Sequence, residues 1–386
     1  MARKPRKNVG VIGLGIIGSR VAAALRGQSF HAYVWNRTPR AAPNFLGSPT
    51  HVAELCDVIQ IFVSDAHALF EVLDAIGEKL NDRHIIICNS TVGPEATLEA
   101  AKLVEEAGAK FLDAPFTGSK AAAENRELVY YIGGDDEVFQ RAEPFLKASS
   151  KAIVKIGKIG DAATVKVVTN MLGAVSVQTL AEAFAIVKNS GIKPEILADA
   201  IEHHGVRSGI LDMKLGKMLH RDYEPHFALK HMFKDVQLGI HIANSLDLDI
   251  PATTATAGVM YGGLSRGWGD LDFSALAKIY ESENDEKEKL APPAQLAPEP
   301  VPAPSGEHKT SEPHKEKLDA HPLPEIKKTP PLETVPIVPV EAKVLPKENA
   351  VEPKSDAPPQ DKPAPGEASI GTHLNRIRRW FGAGAG

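Results

Sequence analysis

Val9-Gly10-Val11-Ile12-Gly13-Leu14-Gly15-Ile16-Ile17-Gly18 decides the reading of this chain. An apolar strand pattern, Val9 to Gly13, runs into a helical pattern from Ile16 to Arg26, and three glycines sit at the junction. The first permits a tight turn, the second lets backbone approach a pyrophosphate, and the third allows a helix to pack closely on a strand. A bare G-x-G-x-x-G is weak evidence, but a strand before it and a helix after it supply the context of a dinucleotide-binding loop. Gly13, Gly15, Ile16, Ile17 and Gly18 are therefore candidate cofactor residues. The cluster Arg3, Lys4, Arg6, Lys7 imitates the charged start of a secretory signal. The glycines interrupt the apolar run that a signal needs, and elsewhere no apolar stretch is expected to reach the ~20 residues of a membrane span.

Outward from this loop, strand patterns at Ala32 to Trp35, Val58 to Val63, His84 to Cys88, Lys110 to Asp113, Leu128 to Gly133 and Ala152 to Ile156 are interspersed with helical stretches such as Ala66 to Leu80 and Pro94 to Ala107. Short apolar strands separated by helices predict an α/β fold: an N-terminal Rossmann domain whose parallel sheet is covered on both faces. After Gly160 the strand patterns stop. Helical patterns follow at Ala162 to Lys188, Pro194 to His203, Gly209 to Leu219 and Leu229 to Ser245, which predicts an all-α second domain. The expected division is 1–160 for dinucleotide binding, 161–283 as the helical domain, 284–368 as a linker and 369–386 as a short amphipathic helix.

Composition supports that division. Of 29 prolines, 19 fall between Ala291 and Pro365, and the 99 residues from 281 to 379 hold no Phe, Trp or Tyr. Such a segment cannot bury enough apolar surface to offset its ordering entropy, so disorder is expected. Ile370, Leu374, Ile377 and Phe381 then recur at helical spacing with Arg376, Arg378 and Arg379 between them, suggesting a tethered tip over 370–382 that could dock on a partner, a membrane edge or a protein shell. Chemistry is expected before this tail, and questions of location after it.

From Glu283 onward there are 14 Lys/Arg against 17 Asp/Glu, leaving 30 against 32 before it, so neither part is basic enough to make nucleic acid the main partner. Two cysteines, Cys56 and Cys88, both in strand-like runs, argue against a disulfide framework and for a reducing, cytoplasmic setting. His203 and His204 are adjacent, point to different faces of a helix and lack partners at ligand spacing, so no metal site is expected. Trp268 between two glycines reads as a packed turn before a final helix.

At the end of the second strand the chain reads Trp35-Asn36-Arg37-Thr38. An NAD site usually offers a carboxylate there; instead Arg37 can pair with a 2′-phosphate and Asn36 and Thr38 can donate to it, so NADPH is the expected cofactor. Lys166 and Asn170 lie four residues apart on one face of the long helix, among Val165, Val167, Val168 and Met171. A lysine so placed can donate a proton to a carbonyl oxygen, because burial moves its pKa toward neutrality.

Several spaced motifs extend this reading: Ser90-Thr91-Val92 with Pro94; Asp113-Ala114-Pro115-Phe116-Thr117-Gly118-Ser119; Gly160 with Lys166 and Asn170; Lys234-Asp235; and Gly269-Asp270 before Asp272-Phe273-Ser274-Ala275. With the glycine loop they stand in the order of the β-hydroxyacid dehydrogenase family, which the chain resembles over about 270 residues. That family includes 3-hydroxyisobutyrate dehydrogenase and the glyoxylate/succinic semialdehyde reductases. The resemblance implies Lys166 as catalytic acid/base with Asn170 as its partner, Thr117, Gly118 and Ser119 holding a substrate carboxylate, and Phe227 and Asp235 completing the pocket wall. It places Thr91, Ser64 and Lys234 near the cofactor, and implies homodimers or homotetramers built through the helical domains. Gly118-Ser119-Lys120 with Ala123, and the run Leu229 to Asp235, look like the glyoxylate/succinic semialdehyde reductase branch. Phe116, Thr117, Asn89 and Ala162 depart from the commoner Val, Ser, Asp and Gly. The expected reaction is NADPH-dependent reduction of a small aldehyde or 2-oxo acid. Oxidation of a 3-hydroxy acid is one alternative, and a scaffold acting through its tail is another.

Overall fold

The computed structural model describes residues 7–281. Expectations for 1–6 and 282–386, including the linker and the terminal helix, lie outside the described residues. Eight strands form one sheet: β1 (Asn8–Ile12), β2 (His31–Trp35), β3 (Val58–Ile61), β4 (Ile85–Cys88), β5 (Lys110–Asp113), β6 (Phe116–Thr117), β7 (Leu128–Gly133) and β8 (Ser150–Gly157). Their order is β2-β1-β3-β4-β5-β7-β6, with β8 also on β7. The first five are parallel, β7 runs antiparallel to β5 and β6, and β8 is parallel to β7. All four residues of β3 (Val-Ile-Gln-Ile) and of β4 (Ile-Ile-Ile-Cys) are buried, as strands covered on both faces must be.

The helices of this half are α1 (Ile16–Gly27), α2 (Pro49–Leu55), α3 (Ala66–Gly77), α4 (Pro94–Glu106), α5 (Lys120–Glu124) and α6 (Asp136–Lys147). Side chains of Ser48, Asp65 and Asp135 cap α2, α3 and α6 by accepting first-turn amides. Because β1 is flanked by β2 on one side and β3 on the other, successive crossovers leave it in opposite directions, opening a crevice at the carboxyl ends of the strands. The glycine loop sits at that crevice.

The second half is helical: α7 (Asp161–Asn189), α8 (Pro194–Glu202), α9 (Gly209–His220), α10 (Leu229–Ser245), α11 (Pro251–Ser265) and a final 3-10 helix over Phe273–Tyr280. Its core gathers Ala174, Val177, Leu215, Val236, Met260 and Phe273. Inside it, Lys214 Nζ donates to both oxygens of Asp272 at 2.7 and 2.8 Å, and Asp272 Oδ2 also accepts the amides of His226 (3.0 Å) and Phe227 (3.1 Å). Burial alone would raise the Asp272 carboxyl, but the Lys214 charge and these bonds hold it below the ordinary range. The pair thereby fixes the turn that presents Phe227.

Three expectations need correction. Helix α7, at 29 residues, is long and apolar enough by length and composition to cross a bilayer, against the expectation that no stretch reaches that length. Its buried residues Ala174, Val177, Leu180 and Ala181 belong to the helical core, while Val168, Leu172 and Ile186 are exposed. Cys56 does not lie in a strand; it closes α2, and only Cys88 ends one. Both thiols are free and buried, and burial pushes each up to about 12. Finally, α2, α5, α6, α11 and β6 occupy stretches assigned no element from sequence. Trp268 does stand in a turn, packed beneath Lys278 and Arg266, but the segment after it is a 3-10 helix.

Candidate active site

The glycine loop has the shape that a dinucleotide needs. Gly13 has φ +96°, and a Cβ there would overlap the Phe62 carbonyl; a Cβ on Gly18 would overlap the carbonyl of Gly13. A Cβ on Gly15 would meet nothing within 4 Å, so the side facing the crevice is open. Helix α1 starts at this point with no side-chain cap and no acidic residue in its first turn, leaving amides and the positive end of the helix dipole for an anion. Exposed Ile16 and half-buried Ile17 begin the helix beside the opening.

At the end of β2, Asn36 has a structural role besides the expected one. Its Oδ1 accepts the Leu14 amide at 2.8 Å and its Nδ2 donates to the Thr38 carbonyl at 2.7 Å. The side chain ties the glycine loop to the end of β2 with its oxygen and one of its two amide hydrogens. Thr38 is exposed, and Arg37 is 79 % exposed with its nearest acid, Glu71, at 3.6 Å; His67 lies 3.6 Å from the same carboxylate. Ser64 donates to Asp65 Oδ2 at 2.6 Å, so its hydroxyl supports the cap of α3.

The reaction end is a chain of charged groups joining α7, α10 and the loop after β4. Lys166 Nζ donates to Asn170 Oδ1 at 2.8 Å, and Asn170 Nδ2 donates to Asp235 Oδ2 at 2.6 Å. Lys234 Nζ lies 2.8 Å from Asp235 Oδ1 and donates to the Thr91 carbonyl. Lys166 is only 8 % exposed. Burial lowers its pKa to about 8, Asp235 pulling it up and Lys234 down. The i, i+4 spacing thus becomes a direct bond. Asp235, expected in the pocket wall, is buried behind Asn170 and spends its oxygens on Asn170 and Lys234.

The segment after β5 forms the third part. Thr117 pairs with Val129 across β6 and β7, Gly118 has φ +143°, and Ser119 caps α5 by accepting the Ala122 amide at 3.3 Å. Phe116 packs between Phe62 and Tyr130. Among the described residues no hydrogen bond joins Thr117, Gly118 or Ser119 to Lys166. Phe227 packs on His231 and Phe273. Asn89 and Ser90 knit the strand ends together, Asn89 donating to the Ala114 carbonyl at 2.7 Å and Ser90 Oγ accepting the Val63 amide at 2.8 Å. Asp113, quoted from sequence only as a motif member, is buried and bonded to the start of α7; its place next to the substrate loop was the available signal. No group of three or more His, Cys, Asp or Glu able to hold a metal occurs among the described residues, and His204 Nδ1 accepts the Val206 amide.

Residues 8–157 match the family model for the NAD-binding domain of 6-phosphogluconate dehydrogenase, and residues 160–280 match that for the NAD-binding segment of NADP-dependent 3-hydroxyisobutyrate dehydrogenase. The chain is 28 % identical over 287 residues to glyoxylate/succinic semialdehyde reductase 2, chloroplastic, of Arabidopsis thaliana, covering 71 % of this chain and 80 % of that one. It is 26 % identical over 284 residues to cytokine-like nuclear factor N-PAC of Xenopus tropicalis, spanning 71 % of this chain and about half, 53 %, of that protein. A crystal structure of 3-hydroxyisobutyrate dehydrogenase from Salmonella typhimurium shares the fold, with a TM-score of 0.65 at 24 % identity over 70 % of this chain and 99 % of that one.

Proposed function

Since the chain belongs to the β-hydroxyacid dehydrogenase family and is an NAD(P)-dependent oxidoreductase acting on CH–OH groups, we propose that it reduces small aldehyde or 2-oxo acids, of the glyoxylate or succinic semialdehyde kind, with NADPH. The observation that carries this reading is Lys166: buried, 2.8 Å from Asn170 Oδ1, and lowered to about 8. The Arabidopsis relative named for the same substrates supports the choice of carbonyl.

The residues present fit the cofactor, as the open face at Gly15 and the uncapped start of α1 indicate. The hydride for the carbonyl carbon would come from NADPH held there. Lys166 gives the matching proton to the carbonyl oxygen, and Asn170 aims the ammonium by accepting one of its hydrogens. Asp235 orients the Asn170 amide and offsets part of the cost of charging a buried lysine. Lys234, through the Thr91 carbonyl, ties α10 to the loop after β4. Thr117, Gly118 and Ser119 offer amides and hydroxyls to the substrate carboxylate, and Phe227 supplies an apolar wall. Preference for NADPH is supported by Arg37 at a strand end that lacks a carboxylate, and by the NADP-dependent description of the second family model.

Exposed Val168, Leu172 and Ile186 on α7 support a homo-oligomer formed through the helical half, and two free buried thiols support a cytoplasmic setting. Steady-state oxidation of NADPH with a panel of small aldehyde acids tests the assignment. Turnover of at least one is expected; silence across the panel with NADPH still bound would reject it.

A further inference from the structure

Asp113 ends β5, is 1 % exposed, and takes no part in the proposed proton transfer. Its Oδ2 accepts two backbone amides from the start of α7, Gly160 and Ala163, each at 3.0 Å. Residue 160 is the N-cap position of that helix. As a glycine at φ +93° it has no side chain with which to cap, and the first-turn amides of a buried helix cannot be left to water. The cap therefore comes from another element, 47 residues earlier in the chain. The strand opposite makes room for it: Gly133 pairs with Asp113, and a Cβ at 133 would lie 3.2 Å from the same Oδ2. Burial pushes the Asp113 carboxyl up to about 7 against the lowering effect of the two amides, so the group is held there at a cost in solvation.

Two parts of the proposed site meet at this carboxylate. Lys166 follows Ala163 by three residues, one helical turn, and Thr117 to Ser119 follow Asp113 by four to six. We propose that Asp113 is a positioning residue: by capping α7 from the sheet, it sets the height and rotation of Lys166 relative to the substrate loop at 117–119. This rests on the reading of Lys166 as proton donor. A misplacement of about 1 Å in a reacting group can cost on the order of 10²-fold in rate, so a cap acting at one turn's distance is enough to matter.

Asp113→Ala and Asp113→Asn would be compared with the wild-type chain for NADPH affinity, kcat, KM, thermal midpoint, and the pH midpoint at which Lys166 reacts with acetic anhydride, read by mass spectrometry. The Ala variant should bind NADPH within about twofold of wild type, lose roughly 10- to 100-fold in kcat, and move the Lys166 midpoint upward from about 8 as water reaches the lysine. The Asn variant, which keeps an acceptor oxygen, should recover most of the kcat. A folded Ala variant with wild-type kcat and Lys166 midpoint would overturn the proposal. So would parallel losses of kcat and NADPH binding that Asn does not restore. If Ala prevents folding, Asp113→Ser, too short to reach both amides, carries the same expected and overturning results. The labelling midpoint needs no substrate, so it separates failure of this inference from failure of the assigned reaction.

Discussion

The two ends of the crevice handle charge in opposite ways. Around Arg37 the charged groups stand in water, with Glu71 at 3.6 Å and both side chains at least half exposed. Around Lys166 they are buried or half-buried, with hydrogen bonds running from α7 through Asn170 to Asp235, which is ion-paired with Lys234. In water a single ion pair contributes about 0–1 kcal/mol and is screened by salt. In a buried chain, desolvation and neighbouring charge can move a pKa by several units. Under the proposed function, the exposed end would select between similar cofactors and the buried end would tune the protonation state of Lys166.

The largest test of this contrast is at the buried end. Lys166→Ala should reduce kcat by about 10²- to 10⁴-fold while NADPH affinity, measured by fluorescence titration, stays within about twofold. A near-normal kcat would remove Lys166 from the chemistry. Next comes pH. With its pKa lowered to about 8, Lys166 carries a proton below that value and loses it above. Reduction needs the ammonium, so kcat in that direction should hold below pH 8 and fall roughly tenfold per unit above it; oxidation needs the neutral amine and should rise up to pH 8 and then level. Parallel profiles in the two directions would break the assignment. The smallest effect belongs to the exposed end. Arg37→Ala should raise KM for NADPH about 5- to 30-fold, leave NADH nearly unchanged, and flatten the salt dependence of NADPH binding; equal effects on both cofactors would place Arg37 away from the 2′-phosphate.

The fold class was legible because its evidence is periodic and local. Buried runs such as Ile85 to Cys88, and glycines at 13, 15 and 18, state their structure without knowledge of distant residues. The elements that escaped lack such signals. Helix α6 continues through Pro144, which ordinarily reads as a stop, and α11 is rich in Thr and Gly, so packing rather than propensity holds it. The same division applies to the site. Lys166 and Asn170 were legible because four residues of helix bring them together. The contact of Asp235 with Asn170 is not legible, because that bond joins residues 65 apart. The clamp made by Asn36 is not legible, because nothing local shows that the Leu14 amide reaches it from 22 residues away.

Gly118 constrains how this enzyme can diverge. At φ +143° any other residue would be strained, and its Cβ would also press on Leu128 Cδ2 at 2.8 Å and Ala122 Cβ at 3.2 Å. Substitution at the centre of the turn proposed to hold the substrate carboxylate is closed in both backbone and packing terms. Lineages that acquire new substrates must vary the flanks, Phe116 and Thr117, and Phe116 already departs from the family's commoner valine. Its contacts with Phe62 and Tyr130 make any exchange there a change in three aromatic side chains at once, so shifts in specificity should arrive as coupled replacements rather than single steps.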